Sequence, residues 1–512
     1  MQTSRPGATG RKPKQTHMEI DRSTSQNALV IGSGVGGLST AIILAQLGFQ
    51  TTVIEKNPLP GGLMRGYIRQ GLDCAVGVHY LGSLDAGQVL RRLFDLLGVS
   101  EGIPVERMGA DGIIDRYIFA DFTFDLPEGL GAYEENLRST FPDEHRQIST
   151  IMEIIRRNSE KMHTLDFLFS RQNDGAMLES MKPFGEILTG LKCSPGLRAV
   201  LGMPCCWIGV PLDSCPAFYH NMVLATYLFS SWRLKCSSAR MAKAFTDRLK
   251  SLGGQIIAGD GVEKILVNHR VVEGVQLKSG SILKSPVVIG SVHPKVVLGM
   301  LPDGAAKPSY RRLVSKLVDT DGMFCAHVSV DAPPHEAVPY NIFKVDTEKN
   351  GNILDLIYYQ LRESERAGKN LLTILTSGEY ERWQKWEHTQ TGQRSADYVR
   401  EKENRAWRLI REAEDIFGPL QGAKLIDAYT PLTTRDWVNS PQGSAYGVLR
   451  SSDQLLEASI LNRTSVKGLF LSGQSVMAPG VIGTILGSLR TVKLIIGPER
   501  YKKMFKHLSL EK

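Results

Sequence analysis

Ala28-Leu-Val-Ile-Gly32-Ser-Gly34-Val-Gly36-Gly37 is a short apolar run that opens into spaced glycines. Ala28 to Ile31 read as a buried strand. Gly32 permits a tight turn, Gly34 lets the backbone approach a pyrophosphate, and Gly37 lets the following helix pack close to the sheet. That helix begins near Val35 and carries Leu38, Ala41, Ile42, Ala45 and Leu47 on an apolar face before Gly48 stops it. Its unpaired N–H groups and positive dipole end would face the phosphates. Thr51 to Ile54 make a second strand, and Glu55 then stands about 20 residues beyond the turn, where a carboxylate accepts hydrogen bonds from an adenosine ribose. An acid at this point, with Lys56 beside it, favours FAD or NAD and disfavours NADP, whose extra phosphate it would repel. Strand, turn, small-residue helix, strand and acid in this order predict a Rossmann-like dinucleotide site on Gly32, Gly34, Val35, Gly36, Gly37, Glu55 and Lys56.

The 512 residues exceed what one compact core organises, and 42% hydrophobic with 22% charged residues is a folded, globular composition. Residues 1–24 carry five basic and two acidic side chains and residues 499–512 carry the same, so the termini hold six of the eight net positive charges. They are expected as disordered basic tails, 1–25 and 499–512, which leave room for peripheral contact with an anionic membrane surface. The body has no nucleic-acid signature. Seven cysteines form no C-x-x-C pair and no zinc spacing, so a reduced cytoplasmic setting is expected and no metal site. The polar N-terminus lacks the apolar core of a secretory signal. No uninterrupted run reaches the ~18 apolar residues of a spanning helix. Pro216 to Trp232 comes nearest, and it reads first as a substrate-pocket helix and second as a membrane-dipping surface.

After Glu55 comes Pro58-Leu-Pro60-Gly61-Gly62-Leu-Met-Arg65, a second glycine pair that a plain NAD dehydrogenase does not need. Fingerprint, acid, Gly-Gly and arginine together resemble the FAD-dependent phytoene desaturase, carotenoid isomerase and retinol saturase-like oxidoreductases of the flavin amine oxidase superfamily. The resemblance implies that Gly61, Gly62 and Arg65 line the FAD pyrophosphate and ribityl chain. Leu59-Pro60 stands where many amine oxidases have an arginine, and Val78-His79-Tyr80-Leu-Gly82 is similar to the retinol saturase and carotenoid isomerase branch. Gly468-Leu-Phe-Leu-Ser-Gly473-Gln474, followed by Pro479-Gly480-Val481-Ile482-Gly483, repeats the strand, glycine turn and helix start at the other end of the chain. By the same resemblance Gly473 and Gln474 approach the cofactor, Gly480, Val481 and Ile482 offer backbone N–H groups to the flavin ring, and the backbone of Val262 pairs with the adenine.

The implied fold is α/β: a discontinuous Rossmann-like FAD-binding domain of glutathione reductase type (26–105, 237–302 and 426–498) with an α+β substrate or cap domain (106–236 and 303–425). The cap lies outside the resemblance, and Arg233-Leu-Lys-Cys-Ser-Ser238 replaces a Gly-Gly common in the family. The implied activity is hydride transfer to or from flavin N5 that desaturates, saturates or isomerises carbon–carbon bonds of a lipophilic polyene, isoprenoid or carotenoid-like substrate. Oxygen, a quinone, a partner protein or a pyridine nucleotide could exchange the electrons. His79 is the first candidate for proton exchange because an unperturbed imidazole titrates near pH 6.5, and Tyr80 is the second. Phe167, Leu168, Phe169, Phe218, Tyr219, Met222, Tyr227, Phe229 and Trp232 suit an apolar pocket. The alternatives are a flavin amine oxidase or protoporphyrinogen oxidase-like enzyme, and a non-catalytic lipid-binding escort on the same fold.

Overall fold

The computed structural model describes residues 26–109, 111–164, 181–235 and 237–509. Phe167, Leu168, Phe169, Cys236 and the N-terminal tail lie outside the described residues. Five parallel strands form the nucleotide sheet in the order Gln255–Ala258, Gln50–Glu55, Asn27–Ile31, Val288–Gly290 and Leu469–Leu471. Three stretches of chain, far apart in sequence, thus make one sheet, and the expected discontinuous Rossmann-like fold is the observed one. A second sheet of seven strands, mostly antiparallel, runs Lys424–Tyr429, Met323–Asp331, Lys369–Ser377, Ile353–Glu363, Asn341–Thr347, Ile113–Ile118 and Thr123–Pro127. Its first strand straddles the boundary expected at 425/426 and belongs as a whole to the cap sheet.

The fingerprint helix, Val35–Gln46, is buried almost throughout, because the sheet covers one side and the helices Ala239–Ser251 and Gly480–Ile496 cover others. Leu38, Ile42 and Ile43 are fully buried, each contributing roughly 1.5–3 kcal/mol of transfer free energy. Close approach is what the glycines permit. A Cβ on Gly37 would stand 1.9 Å from the Gly32 carbonyl oxygen, and one on Gly36 would stand 2.5 Å from Gly473 Cα. Hydroxyls stitch the same seam: Ser488 Oγ donates to the Gly36 carbonyl at 3.0 Å, and Thr40 Oγ1 meets Ser472 Oγ at 2.7 Å.

Two expectations are corrected here. Pro498–Ser509 is a helix and not a tail, because Tyr501 and Met504 lie three apart and bury themselves against the nucleotide core while the lysines between face outward. The segment from Pro216 folds not as one helix but as the helix Ala217–Phe229 and the strand Ser231–Leu234, and no residue of that helix is more than partly exposed. Among the described residues no helix is long and apolar enough to cross a membrane.

Gly36→Ala is expected to lower the unfolding free energy by about 1–3 kcal/mol, through overpacking against Gly473. Gly131→Ala, on the exposed side of the helix Leu130–Thr140 with no atom within 4 Å of the new Cβ, is expected to gain up to about 1 kcal/mol. Urea unfolding followed by circular dichroism checks both. Equal midpoints for the two variants would remove the Gly36 contact from this account.

Candidate functional site

The strand Asn27–Ile31 ends at Gly32, whose φ of +98° suits glycine, and the chain turns there into the open end of a cavity of about 850 Å3. That size is within the range of small-molecule and cofactor sites. Gly32, Gly34, Val35, Gly36, Glu55, Lys56, Gly62, Val262, Gly473, Gln474, Gly480, Val481 and His79 all line it. The N-terminal fingerprint, the second glycine pair and the C-terminal glycine block are therefore brought to one wall. Gly34 stands apart from its neighbours: nothing lies within 4 Å of the place its Cβ would occupy, and its φ of −67° would accept any residue. Its missing side chain leaves empty space at the helix N-terminus, where backbone N–H groups and the dipole favour an anion. That cradle fits a dinucleotide phosphate.

Glu55 is held in place more tightly than the sequence implies. One carboxylate oxygen accepts from the Ser33 N–H at 3.1 Å and Ser33 Oγ at 2.5 Å, and the other accepts from the Asn57 N–H at 2.9 Å and Asn57 Nδ2 at 2.8 Å. Ser33 Oγ in turn accepts from the Gly61 N–H at 3.0 Å. Ser33 thereby joins the first turn, the acid and the second glycine pair. Lys56 Nζ donates to the Asp436 carbonyl at 2.5 Å and Asn57 Nδ2 to the Trp437 carbonyl at 2.9 Å, so the helix Pro431–Val438 closes one side of the cavity. Burial holds the Lys56 ammonium below its usual value, with Glu55 opposing the shift.

Five expected site residues do not line the cavity. Gly37 is occupied in packing against the Gly32 carbonyl, and Gly61 against Ala242, whose Cβ would be 2.6 Å from an added methyl. Arg65 donates through Nε to the Gly62 carbonyl at 3.0 Å and stacks over Trp437 at 5.4 Å. Ile482 packs against the apolar core of the nucleotide half. Tyr80 turns its hydroxyl to Asp115 Oδ2 at 3.4 Å and packs its ring on Tyr227, with centroids 4.7 Å apart. None of the helix Ala217–Phe229 lines the cavity either.

His79 reaches the cavity in a state the sequence did not give. Burial pushes its imidazole down to about 3, with the charge of His327 and Arg362 acting in the same sense. It is therefore neutral at neutral pH, and the expectation of exchange near 6.5 is corrected. Its Nδ1 is buried without a hydrogen-bond partner among the described residues. A second void of about 20 Å3 shares His79 and Val78 with the large one and is lined also by Glu106, Arg233, Gln360 and Arg362.

Beside His79 lies a buried polar network that sequence reasoning missed. Gln360 Nε2 donates to the His79 carbonyl at 3.3 Å and to Asn341 Oδ1 at 3.2 Å, while Asn341 Nδ2 donates to Asp115 Oδ1 at 2.8 Å. Arg233 Nη2 donates to the same Asn341 oxygen at 3.0 Å. Burial pushes the Asp115 carboxyl up to about 7, against the lowering pull of Asn341 and Arg233. The departure from the family at Arg233 is thus a buried cation that braces the cap sheet. Among the described residues no His, Cys, Asp and Glu cluster could hold a metal ion.

Residues 30–97 match the model of an NAD(P)-binding Rossmann-like domain. The chain is 24% identical to an all-trans-retinol 13,14-reductase of Danio rerio, over 94% of this chain and 87% of the relative. It is 22% identical to a 4,4'-diapophytoene desaturase of Staphylococcus aureus, over 64% of this chain and 67% of the relative. A solved structure of putrescine oxidase superposes with a TM-score of 0.64 at 14% identity, covering 92% of this chain and 98% of that one, a likeness of fold. These findings bear out the resemblance to the desaturase and retinol saturase type that the glycine blocks and the His79 segment carry. Cavity and comparisons agree on a flavin or nucleotide cofactor.

A carboxyl titrating near 7 in the folded state and near 4 unfolded binds more protons folded than unfolded between those values, so stability falls as pH rises through that window. The unfolding free energy of the wild type minus that of Asp115→Asn is therefore expected to decline between pH 4 and pH 7, by up to about 1.4 kcal/mol per pH unit, and to be flat above. Urea unfolding across that range measures it. A difference independent of pH would show that Asp115 does not titrate there.

Proposed function

We propose that this protein is an FAD-dependent oxidoreductase that desaturates, saturates or isomerises carbon–carbon bonds of a lipophilic substrate of polyene or isoprenoid type. The observation that carries the proposal is the single cavity onto which Gly32–Gly36, Gly62, Gly473–Gln474 and Gly480–Val481 all open. A cradle with glycine blocks from both ends of the chain suits a long dinucleotide with a ring system at its far end. The retinol reductase and diapophytoene desaturase relatives supply the substrate class.

In this reading the backbone of Gly32 to Gly36 holds the phosphates, Glu55 meets the ribose at the edge of its Ser33 and Asn57 contacts, and Val262 with Gly261 flanks the adenine. Gly473, Gln474, Gly480 and Val481 face the ribityl chain and ring. FAD, when bound, supplies hydride transfer at N5. The chain's own contribution is to orient the substrate, exclude water and place His79, a neutral imidazole, at the cavity wall. A neutral imidazole gives or takes one hydrogen bond without bringing a charge into an apolar site. Residues 26–105, 237–302 and 426–498 serve the cofactor, and 106–236 and 303–425, extended by the strand Lys424–Tyr429, cover the substrate. A substrate of this class partitions into bilayers, so peripheral contact through the basic termini belongs to the same proposal.

Purified protein reconstituted with FAD is expected to show flavin absorption bands, and their absence would end the enzyme reading. Gly34→Val is expected to abolish flavin retention while leaving the Tm of the cofactor-free protein unchanged, since the new side chain meets only open space. Retained flavin would displace the phosphates from this turn. His79→Ala is expected to keep flavin but slow its substrate-dependent reduction or reoxidation by about tenfold in stopped flow, the worth of one neutral hydrogen bond. Equal single-turnover rates would leave His79 a wall residue.

A further inference from the structure

Arg450 is the least expected charge in the structure. It is 1% exposed, and its Nε and Nη1 are buried without a hydrogen-bond partner among the described residues. Its one hydrogen bond among the described residues is long, from Nη2 to the Gln474 carbonyl at 3.4 Å. The charged and titratable groups that act on it are Tyr219 and a second arginine, Arg490, and no carboxylate is among them. Arg490, itself partly buried on the helix Gly480–Ile496, is influenced in turn by Tyr219. Tyr219 donates its hydroxyl proton to the Met477 carbonyl at 2.6 Å, which leaves its oxygen to face cations.

A buried lysine can shed its proton and become neutral, but a guanidinium cannot. A buried guanidinium with two N–H donors unpaired, no counter-ion among the described residues and a second arginine acting on it is a costly arrangement. An anion resolves it. The described residues provide none, and the place is next to the cavity: Gln474 lines it, as does Tyr446, four residues before Arg450. The surroundings are otherwise apolar, with Leu449 and Tyr219 packed against the core of the cap. A ligand that matches is apolar along its length and anionic at one end.

We propose that Arg450, backed by Arg490, binds the carboxylate of a lipophilic acid, so that the ligand of this protein is a long-chain or polyene acid and not a neutral alcohol or hydrocarbon. The planar carboxylate matches the guanidinium fork and carries the single charge that one buried site can compensate. The inference rests on the lipophilic substrate reading and specifies its polar end. It also assigns Arg450 a cost: ligand-free protein carries an uncompensated buried charge.

The test uses the flavin-reconstituted protein with a fluorescent conjugated octadecatetraenoic acid and its methyl ester. The acid is expected to bind about ten- to a hundredfold tighter than the ester. Arg450→Met is expected to abolish that preference while leaving ester affinity unchanged and leaving the Tm of the ligand-free protein equal or higher. Should Arg450→Met fail to fold, Arg490→Gln carries the test, with a partial loss of preference expected. Equal binding of acid and ester by the wild type, binding of neither, or a preference that survives in both variants overturns the proposal. So does a Tm increase with acetate or chloride alone that depends on Arg450 while acid and ester bind alike, which would mark the site as one for a free small anion. Flavin bands recorded on the same samples report on the underlying reading separately, because they do not depend on which ligand is added.

Discussion

Two glycine turns separated by more than four hundred residues press together so closely that no side chain fits between them. Gly36 and Gly473 are the point of contact, with room for less than a methyl group, and Ser488 and Thr40 fasten the seam with hydroxyl bonds. Everything that forms the cavity follows from that closure. The fingerprint helix can present its N-terminus to the cavity only if the C-terminal block comes up beside it, and the C-terminal helix can start at Gly480 only if the turn at Gly473 is seated. The long stretch between them returns to the nucleotide sheet with Gln255–Ala258 and Val288–Gly290, and the segments on either side of that return form the cap.

The chemistry of the site is set by what burial does to charge. Around His79 the low-dielectric interior suppresses ionisation: the imidazole is neutral, the Asp115 carboxyl is raised to about 7, and the tyrosines are held protonated. A cavity of this character favours transfers that carry little net charge past the wall, which suits redox change at a carbon–carbon bond. The exceptions are the arginines, which cannot yield their charge. Arg233 is met by the Val338 carbonyl and the amide oxygen of Asn341, and Arg450 is met by almost nothing. The contrast between the two is what singles Arg450 out.

Much of this was legible in the sequence where a local pattern carries the information. The fingerprint reads from glycine spacing, and the helix expected between Val35 and Gly48 runs from Val35 to Gln46. The C-terminal block reads because it repeats the logic of the N-terminal one. What could not be read depends on partners far away in the chain. Gly61 has the look of a ligand glycine, yet its confinement comes from Ala242, and no local signal reveals that. Tyr80 is as polar as His79 in the sequence, but only the placement of Asp115 decides that its hydroxyl turns inward. The terminal helix was hidden by its own charges, although Tyr501 and Met504 hold the spacing of a buried face. The Asp115, Asn341, Gln360 and Arg233 network leaves no trace in the sequence, because its members come from four separate strands that only the tertiary fold brings together.

The central claim is that both glycine blocks form one cradle for one cofactor. Amide hydrogen exchange with and without added FAD measures this directly, since it reads the two ends of the chain in one experiment. The account predicts increased protection at residues 33–37 and at residues 474–483 together, with the same dependence on FAD concentration. Protection confined to the N-terminal block, with exchange at 474–483 unchanged, would contradict it.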